Sequence, residues 1–239
     1  MDAPSIEGRL EALAPLAEPV RRSLYLYVVG RPDAVGRDEA ASAVGIGRAL
    51  AAFHLDRLVE AGLLSAEYRR LSGRTGPGAG RPAKLYRRAD RQLVVSLPDR
   101  RDDVVARLFA AALDAERLGT VSGTATLERA AIDYGTGLGR QARGRAGSRP
   151  SRARLTEAAL AVLADHGFEP FADGAGVVVL RNCPFDRIAT DYRDLVCGMN
   201  RSIMEGLVAG LHSAGIRAVF DPHAGRCCVT FAGAGTART

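Results

Sequence analysis

The sequence has almost no lysine, no tryptophan and no long apolar run. Lys84 is the only lysine among 33 basic residues, so the net charge of +6 over 239 residues is carried by arginine. No apolar segment approaches the roughly 18 residues that a membrane-spanning helix needs. The first residues also lack the basic segment and apolar stretch of a secretory signal. We therefore expect a cytoplasmic protein with no membrane partner.

Common catalytic motifs are missing as well. There is no Walker loop, no dinucleotide-binding Gly-x-Gly-x-x-Gly after a strand, no HExxH and no Gly-x-Ser-x-Gly. Gly135–Gly139 is glycine-rich, but no strand precedes it and Arg140 follows, so a helix end is expected there rather than a phosphate site. The four histidines are scattered and offer no acid–base pair. The sequence predicts a protein that is not an enzyme.

The composition is that of a folded protein with an anionic partner. Hydrophobic residues make up 47% and charged residues 25%, which excludes a disordered chain. Arginine binds phosphates and guanine edges bidentately, so nucleic acid is the first partner to consider. A GC-rich coding sequence also raises arginine content, but it does not explain where the arginines cluster.

Hydrophobic periodicity divides the chain into three parts and predicts an α+β protein. Residues 1–96 are helical and end in two strand-like runs, residues 97–152 hold helices and a basic linker, and residues 153–239 alternate helices with strands. Arg140–Arg154 carries six arginines and no acid, which is typical of a solvated linker.

Residues 37–64 have the layout of a helix-turn-helix. A first helix over Arg37–Val44 is expected to end at Gly45, where glycine allows a left-handed turn. Gly47 can cap a second helix, Arg48–Ala61. The residues expected on the inward face of this second helix are Ala51, Leu55, Leu58 and Gly62.

Two strand-like runs follow, residues 64–71 and 84–88, around a loop rich in glycine and proline, which predicts a hairpin. The stretch Ala52–Leu64 and this hairpin together resemble the winged-helix repressors of the ArsR and MarR type, over about residues 15–90. The resemblance implies an N-terminal winged helix-turn-helix whose second helix enters the major groove of double-stranded DNA.

The predicted DNA-contacting residues lie on the second helix and in the hairpin. Those of the helix are Arg48, Ala49, Ala52, Phe53, His54 and Arg57. The apolar ones suit thymine methyl groups and the basic ones suit phosphates, although His54 is equally well explained as a partly buried helix residue. Those of the hairpin are Arg74, Arg81 and Lys84, within a stretch of seven basic residues and no acid between positions 69 and 88. Arg81 lies in a flat Gly-Arg-Pro segment that suits a narrow minor groove.

A homodimer on a palindromic operator is expected, because one such helix covers only a few base pairs. An apolar stripe recurs at helical spacing from Val104 to Leu118 and follows the hairpin. It suits a dimerisation helix, and the alternative is that it packs within its own chain.

All four cysteines lie in the last quarter of the chain, at Cys183, Cys197, Cys227 and Cys228. In a cytosolic protein they indicate metal ligands or reactive thiols rather than structural disulfides. Cys183 precedes Pro184, which predicts a helix cap where the helix dipole lowers the thiol pKa. One straight helix would separate the Cys183 and Cys197 sulfurs by roughly 20 Å, so a shared site needs a break near Tyr192–Asp194.

Adjacent residues of a strand point to opposite faces, so at most one of Cys227 and Cys228 is expected to join the other two. Cys227 alternates with the apolar Val229 and Phe231 and suits the core, which leaves Cys228 as the better ligand.

The segments Asn182-Cys-Pro-Phe-Asp, Leu195-Val-Cys-Gly-Met-Asn and Arg226-Cys-Cys-Val-Thr-Phe resemble the sensor half of winged-helix regulators that include repressors of iron–sulfur cluster assembly operons. The resemblance covers about residues 100–239, and members of the family often have proline where this chain has Arg193. It implies an iron–sulfur cluster (4Fe–4S or 2Fe–2S) whose loss changes DNA affinity. The implied ligands are Cys183, Cys197 and Cys228, with Cys227 as the alternative.

The residues alone are also compatible with three different roles for the cysteines. Zinc can be held by three thiolates and a histidine, His212 or His223. A thiol redox switch needs no metal, and four buried cysteines can simply be small core residues. We therefore expect a transcription regulator, a repressor with a cysteine-based sensor domain. The alternatives are a zinc- or thiol-based sensor and a constitutive dimeric DNA-binding protein without metal.

Overall fold

A computed structural model describes residues 6–70, 82–119, 123–172, 177–212, 216–223 and 225–233. The chain forms two units, Met1–Val95 and Ser96–Thr239, each with its own core and its own small antiparallel sheet. The predicted α+β class is confirmed. Within the described ranges, no helix combines the length and apolarity needed to cross a membrane.

The helices of the first unit are α1 (Ile6–Leu13), α2 (Pro19–Val29), α3 (Arg37–Val44) and α4 (Arg48–Glu60), with a 3-10 helix over Ala14–Ala17. The strands are β1 (Val35–Gly36), β2 (Leu64–Arg69) and β3 (Ala83–Arg88). β3 lies between β1 and β2 and is antiparallel to both.

The connection between α3 and α4 follows from its two glycines. Gly45 ends α3 with φ of 72°, and Gly47 caps α4 in an extended conformation. Ala51, Leu55 and Leu58 of α4 are fully buried against α2 and the sheet. The predicted turn, the predicted extent of α3 and the inward positions of Ala51, Leu55 and Leu58 are confirmed, whereas Gly62 lies beyond the end of α4 and is half-buried.

The helices of the second unit are α5 (Asp102–Arg117), α6 (Gly123–Ala146), α7 (Arg152–Asp165), α8 (Asp186–Ala189) and α9 (Arg193–Leu211). The strands are β4 (Pro170–Ala172), β5 (Val177–Leu180), β6 (Ile216–Phe220) and β7 (Val229–Gly233). They pair antiparallel in the order β4-β5-β7-β6.

Helices α6 and α9 approach each other backbone to backbone. A Cβ atom added to Gly135 would lie 1.9 Å from the Ile203 carbonyl oxygen, and one added to Gly206 would lie 2.2 Å from that of Ile132. The expected helix end at residues 135–139 is therefore corrected: these glycines lie inside α6, where they allow the close contact with α9.

The expected solvated linker over Arg140–Arg154 is corrected as well. α6 continues to Ala146, and Ala142 and Ala146 are buried on its inner face. The arginines lie on the other faces, where Arg145 pairs with Asp165 of α7 at 2.6 Å.

The apolar stripe of α5 is directed in part into the core of the second unit. Val104 and Leu108 are buried there, whereas Ala111 and Leu118 are exposed. Residues 97–152, expected to form the connecting and dimerisation helices with a basic linker, lie in the same unit as the following helices and strands.

Candidate functional site

The outer face of α4 is apolar at its centre and basic at its edges. Ala49 and Phe53 are exposed and Ala52 is half-buried. Arg48 is exposed and pairs with Asp38 at 2.7 Å, and Arg57 lies 5.6 Å from the centre of the Phe53 ring. We call Arg48, Ala49, Ala52, Phe53 and Arg57 the α4 face. These five predicted residues are open to an incoming molecule.

His54, predicted among the DNA contacts, is not part of this face. Its side chain is buried, with Nδ1 3.7 Å from a Glu18 carboxylate oxygen and the ring packed edge-on against Phe53. The reason is the helical period, which directs His54 toward α2 next to the buried Leu55. The alternative interpretation of His54, as a buried helix residue, describes its position.

Lys84 is tied to α4 through Asp56. Its Nζ donates to Asp56 Oδ1 at 2.7 Å, and the Tyr86 hydroxyl donates to the same oxygen at 2.6 Å. Arg37, the first residue of α3, donates from Nε to the Tyr86 hydroxyl at 2.9 Å and reaches Asp56 at 3.5 Å. One carboxylate therefore joins α3, α4 and β3 beside the α4 face.

The electrostatics of this network are strongly coupled. Burial works against ionisation of Asp56, but the hydrogen bonds from Lys84 and Tyr86 outweigh it and lower the pKa of the carboxyl below its ordinary 3.8. Burial, followed by the hydrogen bond to Asp56, raises the pKa of Tyr86 to about 12. At neutral pH the network holds an aspartate anion, a neutral tyrosine and two cations.

The hairpin adds further basic side chains. Arg69, Arg70, Arg87 and Arg88 are exposed on or next to β2 and β3, and Arg69 lies 3.9 Å from Glu67. The predicted contacts Arg74 and Arg81 lie outside the described residues.

The cysteine-bearing segments of the second unit are brought together by a break in the helix. α8 ends at Ala189 and α9 begins at Arg193, so the break required near Tyr192–Asp194 is present without a proline. Cys183 is not the helix cap that was expected. Phe185 is the residue that precedes α8, and Cys183 lies in the turn before it.

The four cysteines lie in one part of the second unit, and we call them the cysteine cluster. Cys197, Cys227 and Cys228 are buried in its core and Cys183 packs against that core. Cys228 Sγ donates to the backbone oxygen of Cys197 at 4.0 Å. β7 begins only at Val229, so Cys227 and Cys228 precede the strand, and the expectation that they lie on opposite strand faces does not apply.

Asn200 lies beside Cys227 and Cys228 of the cysteine cluster. It follows Cys197 by three residues on α9, hence on the same helix face. Its Nδ2 donates to Cys227 Sγ at 3.1 Å and to Cys228 Sγ at 3.8 Å. The side chain is fully buried, and within the described part of the chain its Oδ1 has no hydrogen-bond partner.

The cysteine cluster favours the protonated thiols. Burial and the contact with Cys228 raise the pKa of Cys197 to about 12. The hydrogen bond with Cys183 is the largest cause that raises the pKa of Cys227 to about 12. The pKa of Cys228 is raised through its contact with Cys227 and through burial. A bound cation would reverse this preference, because metals bind thiolates.

The histidines considered as zinc ligands are engaged elsewhere. His212 ends α9, fifteen residues after Cys197, which is about 22 Å along a helix that rises 1.5 Å per residue. His223 contacts Asp221 at 3.1 Å and Arg226 at 2.8 Å. Among the residues that the structure describes, no three His, Cys, Asp or Glu side chains are grouped as a metal site.

Several residues of these two sites were not predicted. Asp56 is not among the predicted contacts, and its role depends on β3, which is distant in sequence. Asn200 and Asn182 lie within the segments that carry the cysteines, but their residue type alone does not distinguish them from surface amides. The one signal that could have found Asn200 is its spacing, three positions after a cysteine on the same helix.

Comparison with known proteins gives no relative of this chain. No protein-family model matches it, and neither the curated proteins nor the solved structures include a significant match.

Proposed function

We propose that this protein is a DNA-binding transcription regulator, a repressor, with a winged helix-turn-helix in the first unit. The observation that carries the proposal is the order α3, glycine turn, α4 and antiparallel hairpin, with β1 completing the sheet. In helix-turn-helix proteins the second helix enters the major groove and an attached hairpin contacts the backbone or minor groove. The α4 face and the exposed arginines of β2 and β3 are the side chains available for this.

The α4 face is suited to DNA of particular chemistry. Its apolar centre offers contacts to thymine methyl groups and no hydrogen bonds to base edges, and its arginines are placed for phosphates. We therefore propose that phosphate contacts supply most of the affinity for DNA. We also propose that thymine-rich base steps are preferred where the Phe53 ring contacts the major groove. A homodimer on a palindromic operator follows from the small footprint of one helix.

The DNA-binding proposal is tested with the full chain and duplexes selected from a random pool. Replacing Arg57 by Ala should weaken binding to all duplexes by a similar factor and reduce the salt slope by about one. Introducing an acid by Ala49→Glu should lower affinity more than tenfold, an expectation of about 1.4 kcal/mol or more. The matched controls are Arg129→Ala on α6 and Ala110→Glu on α5, both exposed.

The control variants should bind as the unaltered protein does. If Ala49→Glu and Ala110→Glu have the same affinity, or if no duplex is preferred over random DNA, α4 is not a recognition helix.

For the second unit we propose that the cysteine cluster binds an iron–sulfur cluster and reports its state. The donor set has the right chemistry: four cysteines from three segments lie in one part of the second unit, and iron–sulfur clusters are held by cysteine thiolates. The described side chains are not grouped as a metal site, so the thiols would converge when the cluster binds. Zinc is the alternative occupant, since four thiolates can also hold a single ion at about 2.3 Å. Cys183, Cys197 and Cys228 would hold the cluster, with Cys227 beside them, and bound iron supplies the redox chemistry.

The metal content decides this part of the proposal. Protein purified without oxygen should be brown and contain iron and sulfide in stoichiometric amounts, and a triple Cys→Ser variant of Cys183, Cys197 and Cys228 should be colourless. If the triple variant binds its operator with the same affinity as the unaltered protein under reducing and oxidising conditions, the sensing proposal is wrong.

The thiol contacts favour a second candidate, a switch without metal. Cys228 Sγ lies 4.0 Å from the backbone oxygen of Cys197, so the thiols of these two residues can form a disulfide with release of two protons and two electrons to a peroxide, which becomes two molecules of water. A colourless, metal-free protein whose DNA affinity changes with peroxide and recovers with dithiothreitol would select this candidate.

A further inference from the structure

The turn that carries Cys183 is bound through a buried amide. Asn182 precedes Cys183 and is only 8% exposed. Its Nδ2 donates to the carbonyl oxygen of Asp99 at 3.0 Å and to that of Gly167 at 2.6 Å, and its Oδ1 accepts from Arg100 at 2.6 Å. Both ends of the amide are used, so the side chain has one orientation in this structure.

Arg100 adds contacts to the same turn. Its guanidinium donates to the backbone oxygen of Cys183 at 3.3 Å and lies 3.8 Å from the Asp186 carboxylate. The next residue, Arg101, donates its backbone N–H to the Pro184 oxygen at 2.9 Å. Hydrogen bonds from a charged donor are about twice as strong as neutral ones. Residues 99–101 and the turn at 182–186 are thus held as one piece.

The position of residues 99–101 in the chain determines which other segment this contact can influence. The first unit ends at Val95, and α5 begins at Asp102. Residues 99–101 therefore lie at the start of the second unit, in the short segment that leads from Val95 into α5. On the other side of the turn, Cys183 packs against the core that holds the other three cysteines.

We propose that Arg100 and Asn182 are positioning residues that transmit the state of the cysteine cluster to the connection between the two units. The inference rests on the proposed function. When the bonding of the Cys183 sulfur changes, the turn at 182–184 changes its position, and residues 99–101 follow because of the hydrogen bonds to Asn182 and Cys183.

The turn and residues 99–101 are coupled because breaking only some of the hydrogen bonds of a buried network costs free energy. A buried amide that loses one of its partners loses the net hydrogen bond and is left with an unpaired polar group. Moving the turn without residues 99–101 would break the bonds of the Asn182 amide to Asp99 and Arg100, and that of Arg100 to the Cys183 oxygen. The two segments are therefore expected to move together rather than separately.

The test is the ratio of operator affinities between the cluster-loaded and cluster-free protein. Couplings of this kind typically give about 5- to 150-fold ratios. Replacing Arg100 by Ala should reduce the ratio to less than about threefold while both states still bind DNA. Arg100→Lys keeps the charge but cannot serve Asn182 and Cys183 together in the planar geometry of a guanidinium, so an intermediate ratio is expected.

Arg187→Ala is the matched control. Arg187 also links α8 to the start of α5, through an ion pair with Asp102 at 3.8 Å, but its side chain is 80% exposed. It should keep the full affinity ratio, because exposed ion pairs contribute little.

A second measurement, the alkylation rate of Cys183, tests whether Arg100 holds the turn in place. In the metal-free reduced protein, Arg100→Ala should speed alkylation of Cys183 by iodoacetamide at least severalfold, and Arg187→Ala should not. An unchanged alkylation rate together with a full affinity ratio in Arg100→Ala and Arg100→Lys would overturn the inference and leave the proposed function intact. A ratio of one in the unaltered protein would instead remove the proposed function, and this inference with it, before any variant is made.

Discussion

Gly139 of α6 faces the backbone of Leu207 on α9 so closely that a Cβ atom on Gly139 would lie 2.2 Å from the Leu207 carbonyl oxygen. The same Cβ would lie 2.8 Å from the backbone of Gly210. Because the atoms in the way are backbone, no rotamer change can make room for a side chain.

Gly139→Ala should therefore destabilise the second unit. Overpacking of this kind lowers the free energy of unfolding by about 1–3 kcal/mol. Contact with the backbone of two α9 residues, Leu207 and Gly210, places Gly139→Ala at the upper end of this range. Gly137 is the matched control, since it is exposed in the same helix and an added Cβ meets nothing within 4 Å. Gly137→Ala should raise stability by about 0.5–1 kcal/mol. Hydrogen exchange of peptides from α9 during denaturant unfolding measures both, and equal effects of the two substitutions would contradict the close approach.

Removing the charge at position 56 should make Tyr86 easier to ionise. The hydrogen bond to Asp56 and the negative charge both raise the pKa of Tyr86, after burial, to about 12. In Asp56→Asn this pKa should fall below 12, and the ultraviolet difference spectrum of tyrosinate against pH, with Tyr86→Phe as the reference, measures it. A titration unchanged by the substitution would mean that burial alone holds the proton.

The same carboxylate makes the stability of the first unit depend on acid pH. The pKa of Asp56 is lowered in the folded protein, so near pH 3.8 and just below it the unfolded chain binds more protons than the folded one. The stabilisation from this group is complete above the unfolded pKa and is lost as the pH falls through the folded value. Asp56→Asn should lack this part of the acid sensitivity, which hydrogen exchange of peptides from α3 and α4 reports between pH 5 and pH 2 (a span of about three units).

In metal-free, reduced protein at pH 8, one thiol should react quickly with iodoacetamide and three should react slowly. Cys183 is half-exposed, whereas Cys197, Cys227 and Cys228 are buried with a raised pKa. Because the thiolate is the nucleophile, the three buried groups react slowly until the pH approaches their pKa, about 12 for Cys197 and Cys227. Mass spectrometry after timed iodoacetamide treatment assigns the rates, and loss of the fast phase in Cys183→Ser is the control. Fast alkylation of Cys197 would contradict the buried arrangement.

Asn200→Leu separates the chemical role of this amide from its packing. Leu has a similar volume and removes an oxygen that is unpaired among the described residues, so stability should stay within about 1 kcal/mol. The hydrogen bond from Asn200 lowers the pKa of Cys228, so this pKa should rise further in the variant. We expect the purified variant to retain less iron than the unaltered protein. Full iron content with an unchanged melting temperature would show that the N–H···S bonds do not support the cluster.

The α3 and α4 helices and the turn between them were predictable because their signals are local. Gly45 and Gly47 set the turn, and the period of Ala51, Leu55 and Leu58 sets the buried face of α4. β1 escaped prediction because two residues carry no periodicity, and the partners of Asp56 because β3 lies about thirty positions away (28 to Lys84).

Predictions failed where distant contacts override local preference. Glycine in a helix interior costs about 1 kcal/mol relative to alanine, so Gly135–Gly139 was predicted to end a helix. The packing against α9 outweighs that cost, and no local pattern reports it. The assignment of Cys227 and Cys228 to opposite strand faces failed for a similar reason, since β7 begins two residues later than the apolar alternation indicates.

The backbone contact between α6 and α9 also determines what sequence change this protein can tolerate around Cys197 and Asn200. Side chains elsewhere in the core can exchange size and shape in compensating pairs, as cores generally allow. At Gly135, Gly139, Gly206 and Gly210 no compensating pair exists, because each glycine is opposed by main chain. The distance between the axes of α6 and α9 is consequently fixed by the backbone contact. Substitutions of the surrounding side chains therefore leave the positions of Cys197 and Asn200 on α9 unchanged.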